Sequence, residues 1–207
     1  MIKHAKDKYT PWLYDEEAAF FGKTSHEENL EIIRRRNLLD SNFGALISPE
    51  VVFDKKWSIS VVSCNDSEEE EFFLKKIFDG CFFENSISYM LPIRGDRRDT
   101  YFSTGEIEKF HPALIASFEM SYENYRKLRL GMIPIFSENF FILSKNEEFA
   151  YIFVKSGYHL FASAKDIIEN IWGRDFENMW KSTLLESYDF DYIKNDLLRA
   201  AKIYGYA

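Results

Sequence analysis

The sequence predicts an α+β fold, a single domain over residues 1–207 in which several helices flank an antiparallel β-meander. Three observations carry that prediction. Residues 140–172 hold three short apolar runs separated by tight polar turns, and they close on an amphipathic stretch. Elsewhere, strand-like and helix-like segments follow no regular alternation, which disfavours a doubly wound parallel sheet. A chain of 207 residues without a linker-like segment fits one large domain. At that size roughly 70% of the unfolded surface can be buried, so the core needs no metal or disulfide.

The elements follow in chain order. Ser25 and Glu28 have capping-box spacing ahead of a helix that reaches Leu39, with Leu30 and Ile33 on its apolar face. Arg34, Arg35 and Arg36 complement the dipole at its C-terminal end, and Asp40-Ser41-Asn42 stops it. Val51-Val52-Phe53 is strand-like, and 57–61 alternates apolar and small polar residues as a half-buried strand does. Ser67 and Glu70 repeat the capping box, Phe73, Leu74, Ile77 and Phe78 supply a helical stripe, and Gly80 is placed to end that helix. Residues 81–90 read as a strand broken at Asn85, and 91–100, with Pro92 and Gly95, as a loop. Residues 113–120 read as a strand, with a short helix as the alternative, and 121–130 as a helix capped by Ser121. The meander then runs through strands at 140–143, 150–154 and 158–162, with turns at 145–148 and 156–157. Ser163 is the expected cap of a helix carrying Ile167, Ile168, Ile171 and Trp172, ended by Gly173. Residues 175–204 hold one or two further helices.

The net charge of −8 disfavours general nucleic-acid binding, because a negative surface repels phosphate backbones. Twenty Phe and twelve Tyr provide a large aromatic area for a core, for an interface, or for both. Cys64 and Cys81 have no companion ligands at zinc spacing, and two thiols make no disulfide framework. The stretch Met1–Lys8 is basic with no apolar run behind it, and no segment has the length of a membrane span. A cytoplasmic protein that does not bind membranes is therefore expected.

Catalytic spacings are absent. His4, His26, His111 and His159 lie far apart, no glycine loop cradles a phosphate, and no Gly-x-Ser-x-Gly elbow occurs. No catalytic residue, cofactor or metal site is predicted. One fragment, Asp54-Lys55-Lys56 after the strand-like Val51–Phe53, has the acidic-x-Lys form of metal-dependent nucleases, with Asp40 as a possible upstream acid. Its brevity and the acidic chain favour a solvated turn. Arg94-Gly95-Asp96, followed by Arg97 and Arg98, reads as a polar turn.

Phe140–Ser144, Asn146–Ile152 and Gly157–Ala162, followed by the helix to Trp172, resemble the β-meander-plus-helix segment of bacterial immunity proteins. Those proteins neutralise polymorphic or contact-dependent growth-inhibition toxins. The resemblance implies a cytoplasmic, non-enzymatic inhibitor of one cognate protein toxin, and a partner for an acidic chain should be basic. The carboxylates expected to meet that partner are Glu68, Glu69, Glu70 and Glu71, with Glu147 and Glu148, while Tyr151 and Tyr158 would fill pockets on it. The alternatives are an interaction protein of a phage or mobile element and the nuclease-like enzyme.

Overall fold

The computed structural model describes residues 46–63, 67–80, 86–92, 116–131, 139–154, 157–186 and 191–207. Among them, six strands form one antiparallel sheet and six helices cover it, an α+β fold. The helices are α1 (Pro49–Asp54), α2 (Ser67–Gly80), α3 (Tyr122–Gly131), α4 (Lys165–Trp172), α5 (Asn178–Leu185) and α6 (Asp191–Tyr204). The strands are β1 (Ser58–Ser63), β2 (Ile87–Pro92), β3 (Ala116–Glu119), β4 (Asn139–Ser144), β5 (Phe149–Val154) and β6 (Tyr158–Ser163). Their order across the sheet is β1-β6-β5-β4-β2-β3. No described helix is long and apolar enough to cross a membrane.

The meander β4-β5-β6 forms the middle of the sheet, with Ile142 opposite Tyr151 and Tyr151 opposite Phe161. Every residue of β5 and β6 is buried. Such runs are apolar at both odd and even positions, the pattern of a strand covered on both faces. One face carries Ile59, Val61, Phe141, Leu143, Ala150, Ile152, Leu160 and Ala162. It packs with Val52 of α1, Trp180 of α5, and Leu197, Ala200 and Ala201 of α6. The other face carries Met90, Phe118, Phe140, Ile142, Phe149, Phe153 and Phe161. It packs with Leu74, Ile77 and Phe78 of α2, Tyr125 of α3, and Ile168 and Ile171 of α4.

At the outer edge of β1, side chains of α5 and of the segment after α6 engage the backbone of Ile59. The indole N–H of Trp180 donates to the Ile59 carbonyl at 3.0 Å, and the Ile59 N–H donates to the Tyr206 hydroxyl at 3.3 Å. The two rings stack 5.1 Å apart at 7°. An edge strand with open backbone groups invites pairing with another chain, and here one residue has both groups engaged. Burial of Tyr206 also raises its pKa.

Two local expectations are corrected. Val51-Val52-Phe53 lies in helix α1 and not in a strand, because Pro49 occupies the first helical turn, where its fixed φ and missing N–H favour a helix. Ser163 is the last residue of β6, and its hydroxyl donates to the Glu148 carbonyl at 2.8 Å, while Ala164 precedes α4 without a side-chain cap. α2 spans the expected range, and the strand reading of 113–120 holds at β3. Ser121 accepts the Asn124 N–H at 3.1 Å, as an N-cap should. The expected helix at 25–39, both cysteines and residues 93–115 lie outside the described residues.

Candidate protein-binding surface

α2 turns Leu74, Ile77 and Phe78 inward, so helical spacing turns Glu68, Glu69, Phe72, Lys75 and Lys76 outward. Phe72 is 63% exposed, about as much as Phe53 of α1 at 62%, and among the described residues it differs from Phe53 in standing beside another ring, with three carboxylates in the first turn of its helix. Its ring meets Phe73 edge-on at 5.5 Å, and Phe73 meets Trp172 of α4 at 5.8 Å. The Lys76 ammonium lies 4.9 Å from the centre of a Trp172 ring. An aromatic ridge thus runs from solvent at Phe72 to Trp172, which packs against the second core. The indole nitrogen of Trp172 is buried and has no hydrogen-bond partner among the described residues.

Carboxylates border this ridge. Glu68, Glu69 and Glu70 stand in the first turn of α2, where the positive end of the helix dipole favours them. Glu71 reaches Arg126 of α3 at 3.6 Å, and both side chains are largely exposed. Next to them, burial and then the Glu71 carboxylate hold the Tyr122 hydroxyl above the usual phenol range. On α4, Glu169 is one turn from Trp172 and meets Lys165 at 3.7 Å.

The sequence-predicted residues divide three ways. Glu68 to Glu71 share α2 and border the aromatic ridge. Glu147 and Glu148 sit in the β4–β5 turn, and Glu147 is tied to Lys55, beside α1 on the first face, at 2.6 Å. Glu147 adopts a φ of 58°, and the Glu148 N–H donates to the Ser144 hydroxyl at 3.0 Å. The two acidic groups are thus held by different layers of the fold. Tyr151 and Tyr158 are buried in the fold, 2% and 1% exposed, and present no surface for filling pockets on another protein. The Tyr151 hydroxyl is instead hydrogen-bonded to Nδ1 of His159 inside the second face.

Sequence reasoning passed over Phe72 and Lys76, and read Phe73 and Trp172 only as apolar residues of their helices. A signal existed for Phe72: once Leu74, Ile77 and Phe78 define the inner face, Phe72 falls outside it, between Glu68 and Lys76. The contact of Phe73 with Trp172 joins residues far apart in the chain and left no local trace. The nuclease-like fragment fares differently. Asp54 ends a helix, Lys55 pairs with Glu147, and Lys56 has a φ of 52°, so the strand that would aim an acid and a lysine at one metal is missing. His159 is buried, and no group of three or more His, Cys, Asp or Glu among the described residues is arranged to hold a metal ion. Compared with protein-family models, curated proteins and solved structures, the chain gives no match.

Proposed function

We propose that this chain is a non-enzymatic protein-binding inhibitor of the immunity type, which neutralises a cognate basic toxin by covering its active site. The observation that carries the reading is the exposed Phe72 on a helix whose first turn carries Glu68, Glu69 and Glu70. An aromatic anchor ringed by charge is the usual make-up of an interface hot spot. Carboxylates around it steer a cationic partner during encounter, and the ring supplies the area that slows release. Glu147 and Glu148 fall outside this surface, and the buried Tyr151 and Tyr158 contribute to it only by supporting the sheet.

The test is co-purification with the product of the adjacent upstream gene, followed by assay of that product's toxic activity. A stable complex and loss of activity are the expected results. Failure of every neighbouring toxin domain to bind removes the proposal. Within such a complex, Phe72→Ala should weaken affinity about 30-fold or more, since hot-spot truncations cost on the order of 2 kcal/mol. Glu68→Lys combined with Glu69→Lys should mainly slow association, with the deficit shrinking as salt is raised.

A further inference from the structure

We infer that the ring of Trp172 is the seat for an arginine side chain of the partner, and that Lys76 occupies this seat in the unbound protein. The inference rests on the inhibitor reading and adds the chemistry of one contact to it. Lys76 is exposed while its ammonium lies 4.9 Å from the ring centre, so the face of Trp172 that it covers is turned toward solvent. Phe73, packed against Trp172 at 5.8 Å, and Asn170, bonded to the Gly80 carbonyl at 3.0 Å, fix the indole between α2 and α4.

A tryptophan face attracts cations through its quadrupole, and a guanidinium suits it better than an ammonium because it stacks flat and holds its water less tightly. Glu69, Phe73 and Lys76 share one stripe of α2, and Glu169 is a turn from Trp172 on α4. Carboxylates thus stand on both helices that hold the ring, with Glu169 already paired to Lys165 at 3.7 Å. The chain's own lysine shows that the ring takes a cation in this setting. That lysine also competes, since an incoming arginine must displace it.

The competition predicts a gain of affinity from removing a residue. Binding of a fluorescein-labelled hexa-arginine peptide to the full chain is measured by anisotropy at low salt, beside a hexa-lysine peptide of equal charge. Lys76→Ala should bind the arginine peptide roughly two- to five-fold more tightly than Lys75→Ala does, the size of one exposed cation–π contact. Lys75→Ala removes the same charge from a neighbouring exposed position, so general electrostatics is shared by both variants. Trp172→Leu should erase the preference for arginine over lysine. Equal affinities of the two lysine variants, or no binding of the arginine peptide to the wild-type chain, would overturn the inference, and neither comparison depends on Trp172→Leu folding. A chain that captures its neighbour's product while giving either of those results retains the inhibitor reading and loses this seat.

Discussion

The two faces of the sheet are filled by different kinds of side chain. On the first, branched aliphatics alternate with alanines: Ile59, Val61, Ile152 and Leu160 beside Ala150 and Ala162, under Leu197, Ala200 and Ala201 of α6. The Trp and Tyr rings on this side also bond backbone groups, as where Trp180, stacked on Tyr206, donates to Ile59 and the Tyr204 hydroxyl donates to the Ile47 carbonyl. On the second face, rings touch rings. Phe140 stacks on Phe153 at 4.7 Å, meets Tyr125 at 6.3 Å and Tyr151 at 6.2 Å, while Phe149 lies 5.7 Å from Phe161. Among the described residues, buried phenylalanine is concentrated in the layer that includes α2 and α4, and Phe72 and Trp172 stand on the outer side of that layer. The exposed ridge meets the buried layer at Trp172, which packs against the second core.

Substitutions that change volume test this contrast most severely. Phe161→Ala on the second face should cost about 3–5 kcal/mol, because surrounding rings cannot collapse into the space of a lost one. Ala200→Leu on the first face should cost about 1–3 kcal/mol by overpacking a site built around a methyl group. Chemical denaturation measures both. A second face that absorbed Phe161→Ala for under about 1 kcal/mol would be loosely packed, and would make a poor support for the ridge. A smaller effect is expected from Tyr151→Phe, which keeps the ring and removes the hydroxyl bound to His159 Nδ1. Leaving that buried nitrogen without this bond should cost about 1–2 kcal/mol. Little or no loss would mean that the second face is held by ring packing alone.

The parts of the fold set by neighbouring residues were legible in the sequence. α2 spans Ser67 to Gly80, with Glu68, Glu69 and Glu70 in its first turn where the helix dipole favours them, and these signals all lie within a turn or two of the ends. The three strands of the meander follow from short turns between apolar runs. What was not legible depended on the third dimension. Tyr151 and Tyr158 carry hydroxyls and sit in a hairpin, yet the runs 149–154 and 158–163 are apolar on both parities, which is the mark of two-sided burial. Val51–Phe53 has strand-forming residues, but Pro49 ahead of it decides for a helix. The contact at the β1 edge joins Trp180 to Ile59 across 121 positions, and no local pattern signals it. The acidic half of the candidate surface could be read from the run 68–71, whereas its aromatic half needed α2 and α4 to be laid side by side.

The smallest effect probes α6, the cover of the first face. Asp196 is half-buried there, and burial raises its pKa from the ordinary value of 3.8, with Arg199 opposing the shift. A carboxyl whose pKa is higher in the folded state than in the unfolded one binds its proton more tightly when folded. Its contribution is therefore most favourable at low pH and is lost as pH rises through the folded pKa, so at neutral pH the ionised group opposes folding. Asp196→Asn should then stabilise the protein slightly at pH 7. The advantage should vanish below about pH 3.8, where both side chains are neutral. Thermal melts of the two proteins across that range give the measurement. An asparagine variant less stable at pH 7 would show that the Arg199 contact outweighs burial, and that the rim of the first face is governed by charge pairing, unlike the uncharged interior beneath it.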